Sequence, residues 1–363
     1  MASAPGALLA HDEIETRIRG ARAWRIRYAS RELHGAATES TGLVIAPTAA
    51  GAHRPVLTWC HGTTGLGDAA CPSAQPDPAR ELTVYFSVEA TRSIDYGIPG
   101  LQALIDDGWV VCATDYQGLG TPGMHQYTVN RTNARDAINI VHAAQRMDVG
   151  AGVLVGCMGW SQGGGTAAAI AELDPDDYGD LRLIGTVPMS PAVPSIGLQH
   201  PSGPAAALAG GDVAPDSHLV MLIAGVAAAN PDLRLADILT PLGVRIVEGT
   251  YDTQPVHHLN DTIARLYRLQ GPILDVNQAA VPAWLAALTA GSAAQRAPVC
   301  PVLMCVDAFD GGTVVPVDWQ TDYADAVSKL GGSVTTRTYP NDDHFSLPTS
   351  CVADAHAWLK TLL

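Results

Sequence analysis

The 363-residue chain lacks an apolar run long enough to cross a bilayer as a helix. Its most apolar later stretch, LVMLIAGVAAA at 219–229, falls well short of the about 20 residues that a span requires and reads as a buried or cap helix. Positive charge is also scarce. Lys plus Arg number 21 against 36 Asp plus Glu, a net −15 that argues against nonspecific attraction to nucleic acid or to an anionic membrane. The N-terminus, MASAPGALLAHDE, has no basic segment and only a short apolar stretch, so it does not read as an intact secretory signal. A cytoplasmic chain is expected, or a secreted one from which a signal has been removed. HExxH, a Walker phosphate loop and a well-placed GxGxxG are missing, and HDE at 11–13 and HH at 257–258 give weak ligand spacing, so no cofactor or metal is expected.

Cysteine is limited to seven residues, an odd number that leaves at least one unpaired in a monomer. Cys112, Cys157 and Cys305 lie in apolar strand-like runs and read as core thiols. Cys60 with Cys71, and Cys300 with Cys351, are the pairings that could close loops.

What is present is a globular composition, 47% hydrophobic, with 36 Gly and 25 Pro for many turns. WRIRYAS (24–30) and TGLVIAP (41–47) read as an antiparallel edge. RPVLTWC (54–60), GWVVCATD (108–115), VLVG (153–156), LIGTVPMS (183–190), PVLMCV (301–306) and SVTTRTY (333–339) supply the further strands. Helical spacing appears at 99–107 and 133–147. Strands alternating with helices predict an α/β fold with a mainly parallel sheet covered on both faces, its active residues on loops at the strands' C-terminal ends. Between about 192 and 297 the rhythm changes to helices, at 217–229, 254–268 and 281–291, with no buried strand run. The expected organisation is a core formed by 1–191 and 298–363, with 192–297 as a helical cap or lid. Leu219, Met221, Leu222 and Val226 of that cap either line an apolar pocket or pack as core.

The pentad Gly-Trp-Ser-Gln-Gly at 159–163 stands where an apolar strand gives way to a small-residue helix. A serine there sits on a sharp strand-to-helix turn, where Gly159 and Gly163 are needed because side chains would collide with adjacent backbone. The helix dipole then faces Ser161 and the negative charge forming beside it. Such a serine needs a base. His344, in YPNDDHFSLP after a late strand, is the candidate. For the acid that orients the imidazole, Asp310 follows PVLMCV on a post-strand loop, with Asp307 as the rival nearer the strand. Asp342 and Asp343 adjoin His344 too closely in the chain to orient its ring. The oxyanion donors are expected to be the backbone N–H of Gln162 and one from the loop His61-Gly62-Thr63-Thr64-Gly65, Thr63 first and Gly62 next. His61 reads as a loop-positioning residue.

Together HGTTG (61–65), DYQGLG (115–120), GWSQGG (159–164), the Asp-containing loop before VVP (314–316) and DDH (342–344) resemble the secretory lipase-like branch of the α/β-hydrolases, over most of the chain. The resemblance implies an α/β-hydrolase fold with a helical lid, a triad at Ser161, Asp310 and His344, and carboxylester hydrolysis. It implies that Asp115 and Tyr116 shape the pocket or its hydrogen bonds. The sequence departs from the family where GGTV separates Asp310 from Val315, which enlarges the acid loop and keeps Asp307 in contention. The expected partner is a small-molecule ester. Acyl transfer through the same acyl-enzyme, and a non-catalytic binding protein of the same fold, are the competing functions. Sequence leaves the oligomeric state open.

Overall fold

A computed structural model describes residues 3–83, 94–200, 203–210, 215–309 and 314–363. Among the described residues nine strands form one sheet: β1 (Leu8–Ile14), β2 (Ala21–Arg31), β3 (Ala37–Pro47), β4 (Arg54–Cys60), β5 (Val110–Thr114), β6 (Ala151–Trp160), β7 (Arg182–Met189), β8 (Val302–Asp307) and β9 (Val334–Tyr339). Their spatial order is β1-β2-β3-β5-β4-β6-β7-β8-β9. The first three strands join antiparallel, and the six from β5 to β9 run parallel.

Burial on both faces explains the near-continuous apolar runs of the central strands. Side chains alternate across a strand, so Val56 and Cys60 of β4 belong to one apolar cluster, and Leu57 and Trp59 to the other. The helices are α1 (Leu101–Asp106), α2 (Asn130–Ala144), α3 (Gln162–Ile170), α4 (Pro175–Tyr178), α5 (Pro194–Gly197), α6 (Pro204–Leu208), α7 (Ser217–Ala229), α8 (Pro241–Thr250), α9 (Val256–Gln270), α10 (Val281–Ala290), α11 (Val317–Lys329) and α12 (Leu347–Lys360). Helices α2, α3 and α11 cover the first face, through residues such as Ile138, Ala168 and Tyr323. The opposite face is covered by α1 and α12, through Leu104, Cys351 and Leu359.

All the helices from α5 to α10 fall between β7 and β8, and α7 to α10 build a third apolar cluster around Met221, Ile263 and Trp284. Leu66, Tyr127 and Val129, from loops above the sheet, join that cluster and tie it to the strands' C-terminal edge. Among the described residues, no helix is long and apolar enough to cross a membrane.

The expected cysteine pairings are corrected: all seven thiols are free and buried. Cys60 ends β4 with its sulfur 3.9 Å from that of Cys157 on the adjacent β6, not beside Cys71. Cys71 instead packs near Thr41 and Ser73. Cys351 lies in the α12-side cluster with Cys305, whereas Cys300 precedes β8 near Thr186.

Met221 is fully buried in the helical cluster, so truncating it leaves a cavity. Met221→Ala is expected to destabilise the protein by about 2–5 kcal/mol. A lowered urea midpoint checks this; an unchanged midpoint would contradict it.

Candidate active site

The parallel strands deliver their chemistry-bearing residues to one edge. His61 follows β4, Asp115 follows β5, Ser161 follows β6, Ser190 follows β7, Asp307 ends β8, and His344 stands on the loop after β9. Ser161 has φ 58° and ψ −117°, a backbone that side-chain-bearing residues rarely adopt. A β-carbon on Gly159 would strike the backbone of Gly163, and one on Gly163 would strike Cys60, so only glycine lets the turn close. The Ser161 N–H donates to Met189 O at 3.0 Å, and its carbonyl accepts from Ala192 N–H at 2.9 Å.

That turn presents the hydroxyl to an imidazole. Ser161 Oγ lies 2.9 Å from His344 Nε2, across a separation of 183 residues. Both residues are buried. Trp160, which precedes Ser161 in the pentad, fixes the histidine by donating its indole N–H to His344 O at 2.7 Å while its ring packs at 4.9 Å from the imidazole. Burial, helped by nearby His218, pulls the His344 pKa down to about 3, so the ring is neutral at ordinary pH and can accept a proton.

His344 Nδ1 meets the hydroxyl of Ser190 at 2.9 Å. Asp307 is fully buried at the end of β8; its Oδ1 accepts from Gln320 Nε2 at 2.7 Å. Burial raises its pKa, against the opposing effects of the Ser190 hydroxyl and the Gln320 amide. Asp310 lies outside the described residues, as do the three residues after it. Asp342 and Asp343 turn to local partners: Asp342 accepts from Ser350 Oγ at 2.6 Å, and Asp343 from the N–H groups of Phe345 and Ser346 at the start of α12.

The HGTTG loop curls over the serine. Thr63 and Gly62 line the same cavity as Ser161. The N–H groups of Gln162 and Thr63 donate to no acceptor among the described residues. The Gln162 side chain is locked away from the cavity, its amide donating to His125 Nε2 at 2.6 Å. His125 Nδ1 faces Gln117 O at 2.8 Å, and a carbonyl can only accept, so this ring carries its proton on Nδ1. His61 faces two carbonyls, Gly62 O and Asp115 O, and makes no contact with the serine hydroxyl. Asp115 accepts from Ser73 N–H and Thr41 Oγ1, and the Tyr116 hydroxyl donates to His61 O, so both brace the loops around the cavity.

The cavity measures about 480 Å³, a size typical of small-molecule sites. Trp59, Leu82, Ile98, Trp160, Val256 and Phe345 supply its apolar wall. From the helical layer come Asp216, Ser217 and His218 at the start of α7, together with His257 of α9. Of the two roles open to Leu219, Met221, Leu222 and Val226, pocket wall or core, the structure shows core: Met221, Leu222 and Val226 are buried in the helical cluster, and Leu219 packs against it. Helix α7 turns its N-terminal end, not its apolar side, to the cavity. Ser190 and His125 lie in no motif, although Ser190 closes the recognisable strand LIGTVPMS, and Trp160 lies in the pentad without a role assigned from sequence.

Two buried histidines, His125 and His344, have pKa values of about 3, below the about 6.5 of an unfolded histidine. Below pH 6.5 the unfolded chain therefore binds protons that the folded one refuses, and stability falls as pH drops from about 6.5 toward 3. Urea midpoints at pH 7.5 and 5.5 should differ, with a smaller difference in His344→Gln. A wild-type midpoint that stays flat over this interval would contradict the assignment of buried neutral rings.

The sequence profile of the family described as secretory lipase matches residues 85–235. No curated protein matches the chain. Among solved structures, the fold is similar to a mutant form of the rice cell wall degrading esterase LipA from Xanthomonas oryzae, with a TM-score of 0.72, 19% identity, and 99% of each chain covered. It is also similar to Candida antarctica lipase A in its closed state, at TM-score 0.71 and 14% identity, covering 99% of this chain and 82% of that one. The sheet order and the strand-to-helix turn at Ser161 are consistent with an α/β-hydrolase fold, and residues 85–235 are similar to the secretory lipase family.

Proposed function

We propose that the protein is a serine carboxylester hydrolase that works through an acyl-enzyme on small or medium apolar esters. The observation that carries this reading is the 2.9 Å approach of Ser161 Oγ to His344 Nε2 at the wall of a largely apolar cavity. The esterase and lipase activities named for the structural relatives agree with it.

In the first half-reaction His344 takes the Ser161 proton on Nε2 as Oγ attacks the ester carbonyl. The oxyanion is received by the N–H groups of Gln162 and Thr63, donors typically worth about 3–4 kcal/mol each in the transition state. His344 then gives its proton to the departing alcohol. In the second half-reaction it deprotonates a water that attacks the acyl-enzyme, and Ser161 is regenerated. The orienting acid comes from the segment at the end of β8, Asp310 or Asp307. Residues 192–297 act as the cap: the cavity's floor is sheet and its roof is the start of α7 and of α9, so cap geometry selects the ester. Water, not a second alcohol, is the proposed acceptor.

Ser161→Ala is expected to lower kcat on p-nitrophenyl esters by about 10⁴-fold or more. A panel of soluble short-acyl, long-acyl and aromatic esters should show highest kcat/KM for acyl groups that a 480 Å³ cavity can enclose. Undiminished turnover in the variant would overturn the proposal, and product that stays esterified to an added alcohol would redirect it to acyl transfer.

A further inference from the structure

Thr63 Oγ1 and the Tyr127 hydroxyl lie 2.8 Å apart, and neither oxygen has a second hydrogen-bond partner among the described residues. Each carries one hydrogen, so whichever accepts keeps a hydrogen for something else. Tyr127 is buried against the apolar helical cluster and does not border the cavity. Burial, with the Asp216 carboxylate nearby, raises its pKa and keeps the phenol protonated. Were Thr63 the donor, the phenol hydrogen would be left unpaired in apolar surroundings, which is costly. With Tyr127 as donor, the spare hydrogen belongs to Thr63, which is half-buried and lines the cavity with Ser161.

The surroundings hold both residues. The Tyr127 ring meets His125 edge-on at 6.3 Å, and His125 stacks on Tyr116 at 5.6 Å. Gly225 of α7 comes so close that a β-carbon there would strike the Tyr127 backbone. The Thr63 loop is pinned on one side by Val256 N–H, which donates to Thr64 O at 2.8 Å. On the other side Gly62 packs on the Trp160 ring with no room for a side chain. Rotation about the Thr63 Cβ–Oγ bond remains, and the bond from Tyr127 takes one of its directions.

We propose that the Thr63 hydroxyl is a third oxyanion donor beside the N–H groups of Gln162 and Thr63, and that Tyr127 is the positioning residue that turns its hydrogen to the cavity by donating to its oxygen. As Ser161 attacks, the ester carbonyl oxygen gains negative charge and accepts from Thr63 Oγ–H, with no proton transferred. Hydrogen bonds to a charged acceptor are stronger than those to a neutral carbonyl, so the contact favours the transition state over the bound ester. Donation from Tyr127 also polarises the Thr63 O–H and strengthens it as a donor.

This inference rests on Ser161 acting as the nucleophile, and the experiment separates the two. Turnover of p-nitrophenyl butyrate is measured for Thr63→Val, Thr63→Ser, Tyr127→Phe and the double variant Thr63→Val/Tyr127→Phe. Inhibition by an alkyl trifluoromethyl ketone, whose adduct with the serine carries an oxyanion, is measured on the same proteins. Thr63→Val keeps the shape of the side chain and removes only the hydroxyl, so kcat is expected to fall about 10- to 100-fold. KM should move by less than about threefold, because the contact is made in the transition state. The inhibition constant of the ketone should rise in proportion to the loss in kcat/KM. Thr63→Ser, which restores a hydroxyl, should recover most of the loss. Tyr127→Phe should lower kcat by a smaller factor, and the double variant should be no worse than Thr63→Val alone, because both act through one hydroxyl. A purely structural role for Thr63 would not make ketone affinity track kcat/KM or be rescued by serine. Undiminished kcat in Thr63→Val, an equal loss in Thr63→Ser, or additive losses in the double variant would each overturn the third donor while leaving Ser161 as nucleophile. Ser161→Ala tests the underlying reading separately: turnover or ketone binding that persists there removes that reading and this inference with it. Should Tyr127→Phe fail to fold, the valine and serine variants of Thr63 decide alone.

Discussion

The strained backbone at Ser161 is the constraint on which the rest of the site depends. A non-glycine residue held in so sparsely populated a conformation costs about 1–3 kcal/mol and persists only where its surroundings over-determine it. Here they do: the N–H is fixed to β7 through Met189, the carbonyl is shared by Ala192 and Gly165, and Gly163 packs against the end of β4 with no room for a side chain. The same turn holds the hydroxyl against His344 Nε2 and starts α3 at the very next residue. Position and polarity of the site therefore come from one backbone geometry, and neighbouring strand ends supply everything else.

Burial sets the electrostatics. A histidine enclosed by Trp160, Phe345 and the helical layer cannot hold its proton at ordinary pH, which makes it available as a base and makes any carboxylate coupled to it valuable. His125 is neutral for the same reason, and its single proton orientation locks the Gln162 side chain. These buried polar groups cost acid stability, and in return they hold the donor groups without reorganisation when charge develops. The helical layer contributes differently. Its own core is apolar and self-contained around Met221, Ile263 and Trp284, while its polar edge at Asp216, His218 and His257 looks into the cavity.

Much of this was legible in the chain because the central strands are buried on both faces and read as unbroken apolar runs. The strand-to-helix turn was legible because a backbone at positive φ surrounded by close backbone contacts demands small residues at fixed positions. Strand β1 was not: LLAHDEI is interrupted by the polar run His11-Asp12-Glu13 and sits at the sheet edge, where its middle is exposed. Helices α8, α11 and α12 escaped as well; the apolar spacing of α8 and α12 is interrupted by Pro241, Gly243 and Pro348. Hydrophobicity left the role of α7 open between core and pocket wall, since Met221 and Val226 are apolar for the sake of the helical core and no periodicity distinguishes the two. Ser190 gave no signal at all. A serine after a strand is common, and its meaning comes from an imidazole 154 residues away.

The central claim is that Ser161 is a nucleophile activated by His344. Intact-mass and peptide-mass spectrometry after reaction with a fluorophosphonate ester tests it most directly, because the reagent labels only a serine whose proton is removed by a base. The account predicts one adduct per chain, mapped to the peptide containing Ser161, and strong slowing of the reaction in His344→Gln. Labelling elsewhere, or none in folded protein, would contradict it.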